Sequence, residues 1–308
     1  MAVSTGDSIT ESDFNTLRSR VNTILGTPSG TTESNARGYG VTLTSSSVSA
    51  NSLVTEADWD ALRVDIDKAH VHQNGSSAGL TNVTTSDLIA ATIFNDLETA
   101  VVGLEATPFQ IDSGQGSTEA VITSQRTSAW NGTRQHEFTM TWADANTRKA
   151  FFNAGGYVIF SANIAYSGSE AKTLDWQTML ADMGSVGFRY NEAFNITGTG
   201  NASARGTPGT MGNYDLTASN QELFTKGGVT PYSENAYKIF AKTSAAESIT
   251  FLVEFQDNDV GDDTTPSDPY PNAVDEDVQG TLTSTIQMFR PTGDVAVAAP
   301  SSSNSITL

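Results

Sequence analysis

Cysteine is missing from all 308 residues, and with it go disulfide frameworks, thiol nucleophiles and cysteine-ligated metals. Cations are scarce: 16 lysines and arginines stand against 35 aspartates and glutamates, a formal charge of −19. A chain of that charge repels nucleic-acid phosphates unless its basic residues cluster, and they do not, so nucleic acid is not expected as a partner. Long apolar runs are lacking too. No stretch approaches the roughly 18 residues of a spanning helix, so no membrane is expected as a partner either. The polar start Met1-Ala2-Val3-Ser4 has neither the basic region nor the apolar stretch of a classical export signal. Motifs of chemistry are equally thin: there is no Gly-x-Ser-x-Gly elbow, no phosphate-cradling Gly-Lys-Ser or Gly-Lys-Thr, no His-Glu-x-x-His and no dinucleotide fingerprint at a strand-to-helix junction. With 3 histidines and no convergent set, the reading is non-enzymatic and without cofactor.

What is present is a phrase stated twice. Ile9-Thr10-Glu11-Ser12-Asp13-Phe14-Asn15-Thr16-Leu17-Arg18 returns as Val54-Thr55-Glu56-Ala57-Asp58-Trp59-Asp60-Ala61-Leu62-Arg63. Thr10 with Asp13, and Thr55 with Asp58, have the form of helix-capping boxes. Phe14, Leu17, Val21 and Leu25 then recur at helical spacing up to Gly26, and Trp59, Leu62, Ile66 and Ala69 up to Asn74-Gly75. A weaker echo runs from Ile93-Phe94-Asn95-Asp96-Leu97 into Val101 and Leu104, without a clear cap. Short amphipathic helices cannot satisfy an apolar face alone. Phe14, Leu17, Val21, Trp59, Leu62, Ile66, Phe94 and Leu97 are therefore expected to pack against each other, a sister subunit or a larger particle, as oligomerisation or docking contacts.

Beyond Pro108 the helical period gives way to alternation. Candidate strands are Ala120 to Gln125, Arg134 to Trp142, Gly156 to Tyr166, Val186 to Ile196, Ala236 to Lys242, Ser248 to Asp257 and Gly280 to Arg290. Helices are expected at Ala143 to Phe152 and from Leu174 to Gly184. The fold class is α+β: a small helical N-terminal module (1–107), a mainly antiparallel β-sandwich-like module with short crossing helices (108–293), and a C-terminal arm or flexible tail (294–308).

Two phrases carry a resemblance. Arg37-Gly38-Tyr39-Gly40-Val41-Thr42-Leu43, with Trp59, Leu62, Arg63 and His70-Val71-His72-Gln73-Asn74-Gly75 after it, resembles the N-terminal part of virion structural proteins of tailed bacteriophages, particularly the contractile-tailed phages of cyanobacteria. Arg148-Lys149-Ala150-Phe151-Phe152-Asn153-Ala154-Gly155-Gly156, with Lys172, Asp175-Trp176 and Leu180 downstream, is similar to another phrase of the same proteins. The resemblance implies a virion location, other proteins of the neck, tail or baseplate as partners, and a homo-oligomeric fibre or adaptor, a trimer before other states. The tract from Gly198 to Gly228 and the acidic loop after Asp257 match neither phrase and are expected to be partner-specific.

Three local features carry alternatives. His70 and His72 would point one way in an extended segment, and three copies would then offer six imidazoles to one metal ion; at a helix end they read instead as a favourable C-terminal cation. Asp257-Asn258-Asp259-Val260-Gly261-Asp262-Asp263 opens like a calcium loop, with Asp257, Asp259, Asp262 and Asp263 as oxygen ligands, yet lacks the closing glutamate. Trp142 and Trp176 read as buried anchors or as platforms for a host-surface glycan. Two rival functions follow, a receptor- or carbohydrate-binding fibre module and a polysaccharide-degrading enzyme built on an acidic pair.

Overall fold

A computed structural model describes residues 9–84, 90–260 and 275–308. The chain forms two compact units, each built from separated stretches: Met1–Thr118, Ala143–Gly156 and Phe289–Ala299 in one, Glu119–Trp142, Tyr157–Met288 and Pro300–Leu308 in the other. The helical unit thus extends past residue 107, taking in two later stretches.

In the first unit both repeated phrases open helices in the expected way. Helix α1 is Glu11–Leu25 and α2 is Glu56–Asn74. Thr10 Oγ1 accepts from the Asp13 amide (3.3 Å) while the Asp13 carboxylate accepts from the Thr10 amide (2.9 Å), and Thr55 and Asp58 repeat the pair at 3.3 and 2.8 Å. Gly75 ends α2 in the left-handed region at φ 74°, a conformation glycine reaches without strain. The echo becomes α3, Ala91–Ala106, whose N-cap Ala90 has no side chain to offer the first turn.

The three helices share one core. Trp59 stands edge-on between Phe14 (centroids 5.1 Å apart) and Phe94 (6.0 Å), and Arg20 on α1 holds Glu98 and Glu105 on α3 at 3.1 and 2.8 Å. All eight side chains read as docking contacts lie in this interior, none more than 2% exposed. Their apolar surface is removed from water within the chain itself, so docking through them would require opening the unit. Strand β1 (Gly116–Thr118) pairs antiparallel with Phe289–Pro291, and the nearby Val295 and Val297 of the same stretch are buried.

In the second unit come β2 (Ile122–Arg126) and β3 (Gly132–Thr141), and in the first unit α4 (Ala145–Asn153), capped by Asp144, which accepts from the Thr147 amide at 2.7 Å. The second unit continues with β4 (Tyr157–Ala165), α5 (Ala171–Met183), β5 (Ser185–Phe188), β6 (Ala193–Thr197), β7 (Thr207–Pro208), β8 (Gln221–Gly227), β9 (Ala236–Ala245), β10 (Ser248–Asp257), β11 (Thr281–Pro291, to Met288 in this unit) and β12 (Ser301–Ile306). Its first sheet runs β2-β11-β4-β5-β6 and its second β12-β3-β10-β9-β8-β7. The second is antiparallel throughout.

The sheets face one another across an aromatic core. Phe251 of β10 lies 5.6 Å from its ladder partner Phe138, and 5.2 and 5.4 Å from Phe160 and Phe188 of the other sheet. The inward positions are those that alternation marks: Val158 and Phe160 on β4, and Ile249, Phe251, Val253 and Phe255 on β10. Two expectations change. Val186 to Ile196 is a hairpin, β5 and β6, turned where the Arg189 amide donates to Glu192 O at 3.0 Å, because Arg189-Tyr190-Asn191-Glu192 reverses without glycine or proline. The last residues form β12, a strand rather than a free tail.

Candidate functional site

Among the described residues, chemically capable groups gather at a place in each unit. In the helical unit the two phrases that carry the resemblance meet. Asn153 at the end of α4 donates to Arg37 O and Gly38 O, both at 3.0 Å, and Lys149 donates to Gly30 O at 2.9 Å. Gly40, at φ 78°, approaches so near that a Cβ there would stand 3.1 Å from that of Ala150. Within the same interior Gln73 donates to Tyr39 Oη (2.7 Å), Tyr39 donates to Pro108 O (2.7 Å), and Thr107 donates to Gln73 Oε1 (3.1 Å). The network is satisfied internally, and burial holds the Tyr39 phenol above its usual range, protonated at neutral pH.

The two α2 histidines part company. Residues two apart on a helix stand about 200° apart around its axis. His72 is buried and its Nε2–H donates to Ala154 O at 3.1 Å; burial pulls its pKa down to about 4, so the ring is neutral. His70 instead lines an open groove of about 540 Å³ with Asn74, Asp96, Thr99, Thr107 and Gln110, and its Nδ1 lies 2.8 Å from Ser76 O. The His-x-His pair therefore cannot converge on one ion, since the convergence required an extended segment and the segment is helical.

The groove also borders a phrase that sequence reading passed over. Gly75-Ser76-Ser77-Ala78-Gly79 matches the bare Gly-x-Ser-x-Gly pattern, but it follows a helix end instead of a strand. Ser77 Oγ donates to Asp67 (2.8 Å) and accepts from the Gly79 amide (3.1 Å), while the Ala78 amide also reaches Asp67 (2.8 Å). The hydroxyl ties the loop back to α2, and no imidazole is bonded to it as a base.

In the second unit the densest charge is buried around Lys172, at the start of α5 and 1% exposed. Its ammonium donates to Asp275 at 2.8 Å and to Asp259 O at 3.0 Å, with the carboxylates of Asp257 and Asp259 at 3.4 and 3.6 Å. Asn131 donates to the other oxygen of Asp275 at 2.6 Å, and Asn235 Oδ1 accepts from the amides of Asn258 and Asp259 (2.8 and 3.0 Å). Burial lowers the lysine pKa, but the Asp275 hydrogen bond and the Asp257 charge outweigh it and raise the value overall. Conversely, the Lys172 hydrogen bond holds Asp275 below the usual carboxylate range. Asp257 goes the other way: burial raises it to about 6 against the pull of Lys172, because its nearer oxygen is too far for a strong charge-assisted hydrogen bond.

The expected calcium ligands Asp257 and Asp259 thus turn toward an ammonium, which stands where a cation would have to sit. Asp262 and Asp263 lie outside the described residues. Among the described residues no group of three or more histidines and carboxylates is arranged to hold a metal ion. Lys172, Asp275 and Asn131 are not marked as a constellation by the sequence; with Asp257 and Asp259 they span positions 131 to 275, and only the folded chain brings them together. Nor does any tryptophan offer a face to a sugar: Trp59, Trp130, Trp142 and Trp176 are all buried, Trp130 and Trp176 edge to face at 5.3 Å.

No family model, curated protein or solved structure matches the chain.

Proposed function

We propose that this chain is a non-enzymatic structural component of a tailed-phage virion, held in the neck, tail or baseplate by its helical unit and assembled as a homo-oligomer, a trimer before other states. The observation that carries the proposal is where its reactive groups go. His72, His136 and Lys172, the groups best suited to acid–base or nucleophilic work, are buried and engaged with partners inside their own units. A particle component needs surfaces and rigidity more than poised side chains. The phage resemblance supplies the location, and its two phrases make the internal seam of the helical unit. Since the eight apolar side chains of α1–α3 are interior, docking would use the outer faces of the helices and the loops that join them.

The experiment is to purify particles of the phage that encodes the chain. Its peptides are expected in their mass spectrum, and density for it at the neck, tail or baseplate in a cryo-electron reconstruction. Absence from purified particles would remove the reading.

A further inference from the structure

The last strand of the chain is held unlike the other strands. All six residues of β12, Ser301-Ser302-Ser303-Asn304-Ser305-Ile306, are exposed, so it buries no apolar side chain in closing the sheet beside β3. Its attachments are the ladder, with Ser301 opposite Thr141 and Ser303 opposite Thr139, and a few polar contacts. Ser305 Oγ donates to Glu137 (2.7 Å), Asn304 Oδ1 lies 3.3 Å from His136 Nε2, and the Leu308 amide donates to Ser124 Oγ (2.9 Å). The edge of β3 beneath it is different in kind, for His136, Phe138 and Met140 are completely buried. Uncovered, β3 would present unpaired amides and carbonyls beside a core strand, so its edge demands a cover while the cover itself has little to lose by leaving.

The tether favours exchange as well. Val297 is the last buried anchor in the helical unit, and only the exposed Ala298 and Ala299 and the buried Pro300 separate it from β12. Pro300 restricts Ala299 to extended backbone, and short hinges of this kind invite exchange of an element between copies. The outer edge of β12, by contrast, has no partner strand among the described residues and carries neither charge nor proline to guard it.

We infer that β12 is an exchange strand: in the oligomer, Ser301–Ile306 of one copy pairs with β3 of a second copy of this chain. The occupant is specified by the fold, because every contact that seats β12 on its own β3 is available unchanged on the β3 of a sister copy. In an isolated chain the tether presents β12 to its own β3 at an effective concentration on the order of millimolar. Exchange wins where the homo-oligomer holds sister copies at comparable local density. The inference rests on the homo-oligomer in the proposed function and names the contact that makes it.

Absence of cysteine makes the test clean. Thr139→Cys and Ser303→Cys are made separately in the full chain, each checked by circular dichroism against the parent, then co-expressed and oxidised. Exchange predicts a disulfide-linked heterodimer on a non-reducing gel, lost with reductant and missing from either variant alone. Thr141→Cys with Ser301→Cys repeats the test at a second register should the first pair disturb folding. Intramolecular linkage in the doubly substituted chain, with no link between co-expressed single variants, would overturn the inference. So would a Ser303→Cys homodimer, which signals pairing of two β12 edges. Sedimentation of the parent separates the two ideas: an oligomer without the cross-link defeats exchange and leaves the homo-oligomer standing, whereas a monomer at all concentrations defeats both.

Discussion

Single residues in this chain owe their properties to burial more than to type. Asp257 and Asp275 share one ammonium, yet their pKa values move in opposite directions, since Asp275 has the short hydrogen bonds and Asp257 the desolvation. A carboxyl whose folded pKa is raised stabilises the fold below its unfolded pKa near 4 and loses that contribution as pH rises through about 6. Asp257→Asn mimics the protonated form and has nothing to lose. Its stability relative to the parent should therefore increase between pH 4 and pH 7 by on the order of 2 kcal/mol. Urea unfolding midpoints at the two pH values measure this, and parallel changes in the two proteins would refute it. His72, whose pKa is depressed, acts in the opposite sense but is common to both proteins and cancels in the comparison.

At the scale of elements, the chain shows which helix starts are well made. Thr10 and Thr55 complete reciprocal capping boxes, whereas Ala90 leaves the α3 amides without a side-chain acceptor. Thr55→Ala should lower stability by about 1 kcal/mol, and Ala90→Ser should raise it by a few tenths to about 1 kcal/mol, because the Ala90 backbone is already extended as an N-cap requires. Thermal denaturation of the two variants gives the signs; an Ala90→Ser protein less stable than the parent would contradict the account. These caps, the helical stripes and the alternation in β4 and β10 were legible because each depends on residues within a few positions. The β5–β6 reversal was not, since its turn has Asn191 but neither glycine nor proline, and neither was β12, because a run of serines carries no period-two signal.

For the whole molecule, the two units are not consecutive pieces of sequence. Helix α4 belongs with α1–α3, and through it Arg37, Gly38 and His72 find their partners at Asn153 and Ala154. A fragment ending at Thr118 would keep the helical stripes but leave His72 and those carbonyls without their bonds. It should show helical circular dichroism with poor amide dispersion and non-cooperative melting, and a sharply dispersed spectrum with cooperative melting would argue that α4 is dispensable.

Local chemistry, written in the sequence alone, determined the capped helices, the faces they bury, the strands of the aromatic core and the absence of thiol chemistry. Tertiary structure decided where those pieces go. It turned the apolar stripes inward on one another, separated His70 from His72 across a helix, and gave the acidic loop a lysine in place of a metal ion. It also laid a serine-rich end along a sheet edge. The physical reason is the range of the forces involved: capping and periodicity act between near neighbours in sequence, whereas burial, charge pairing and strand pairing join residues that only the folded chain brings close.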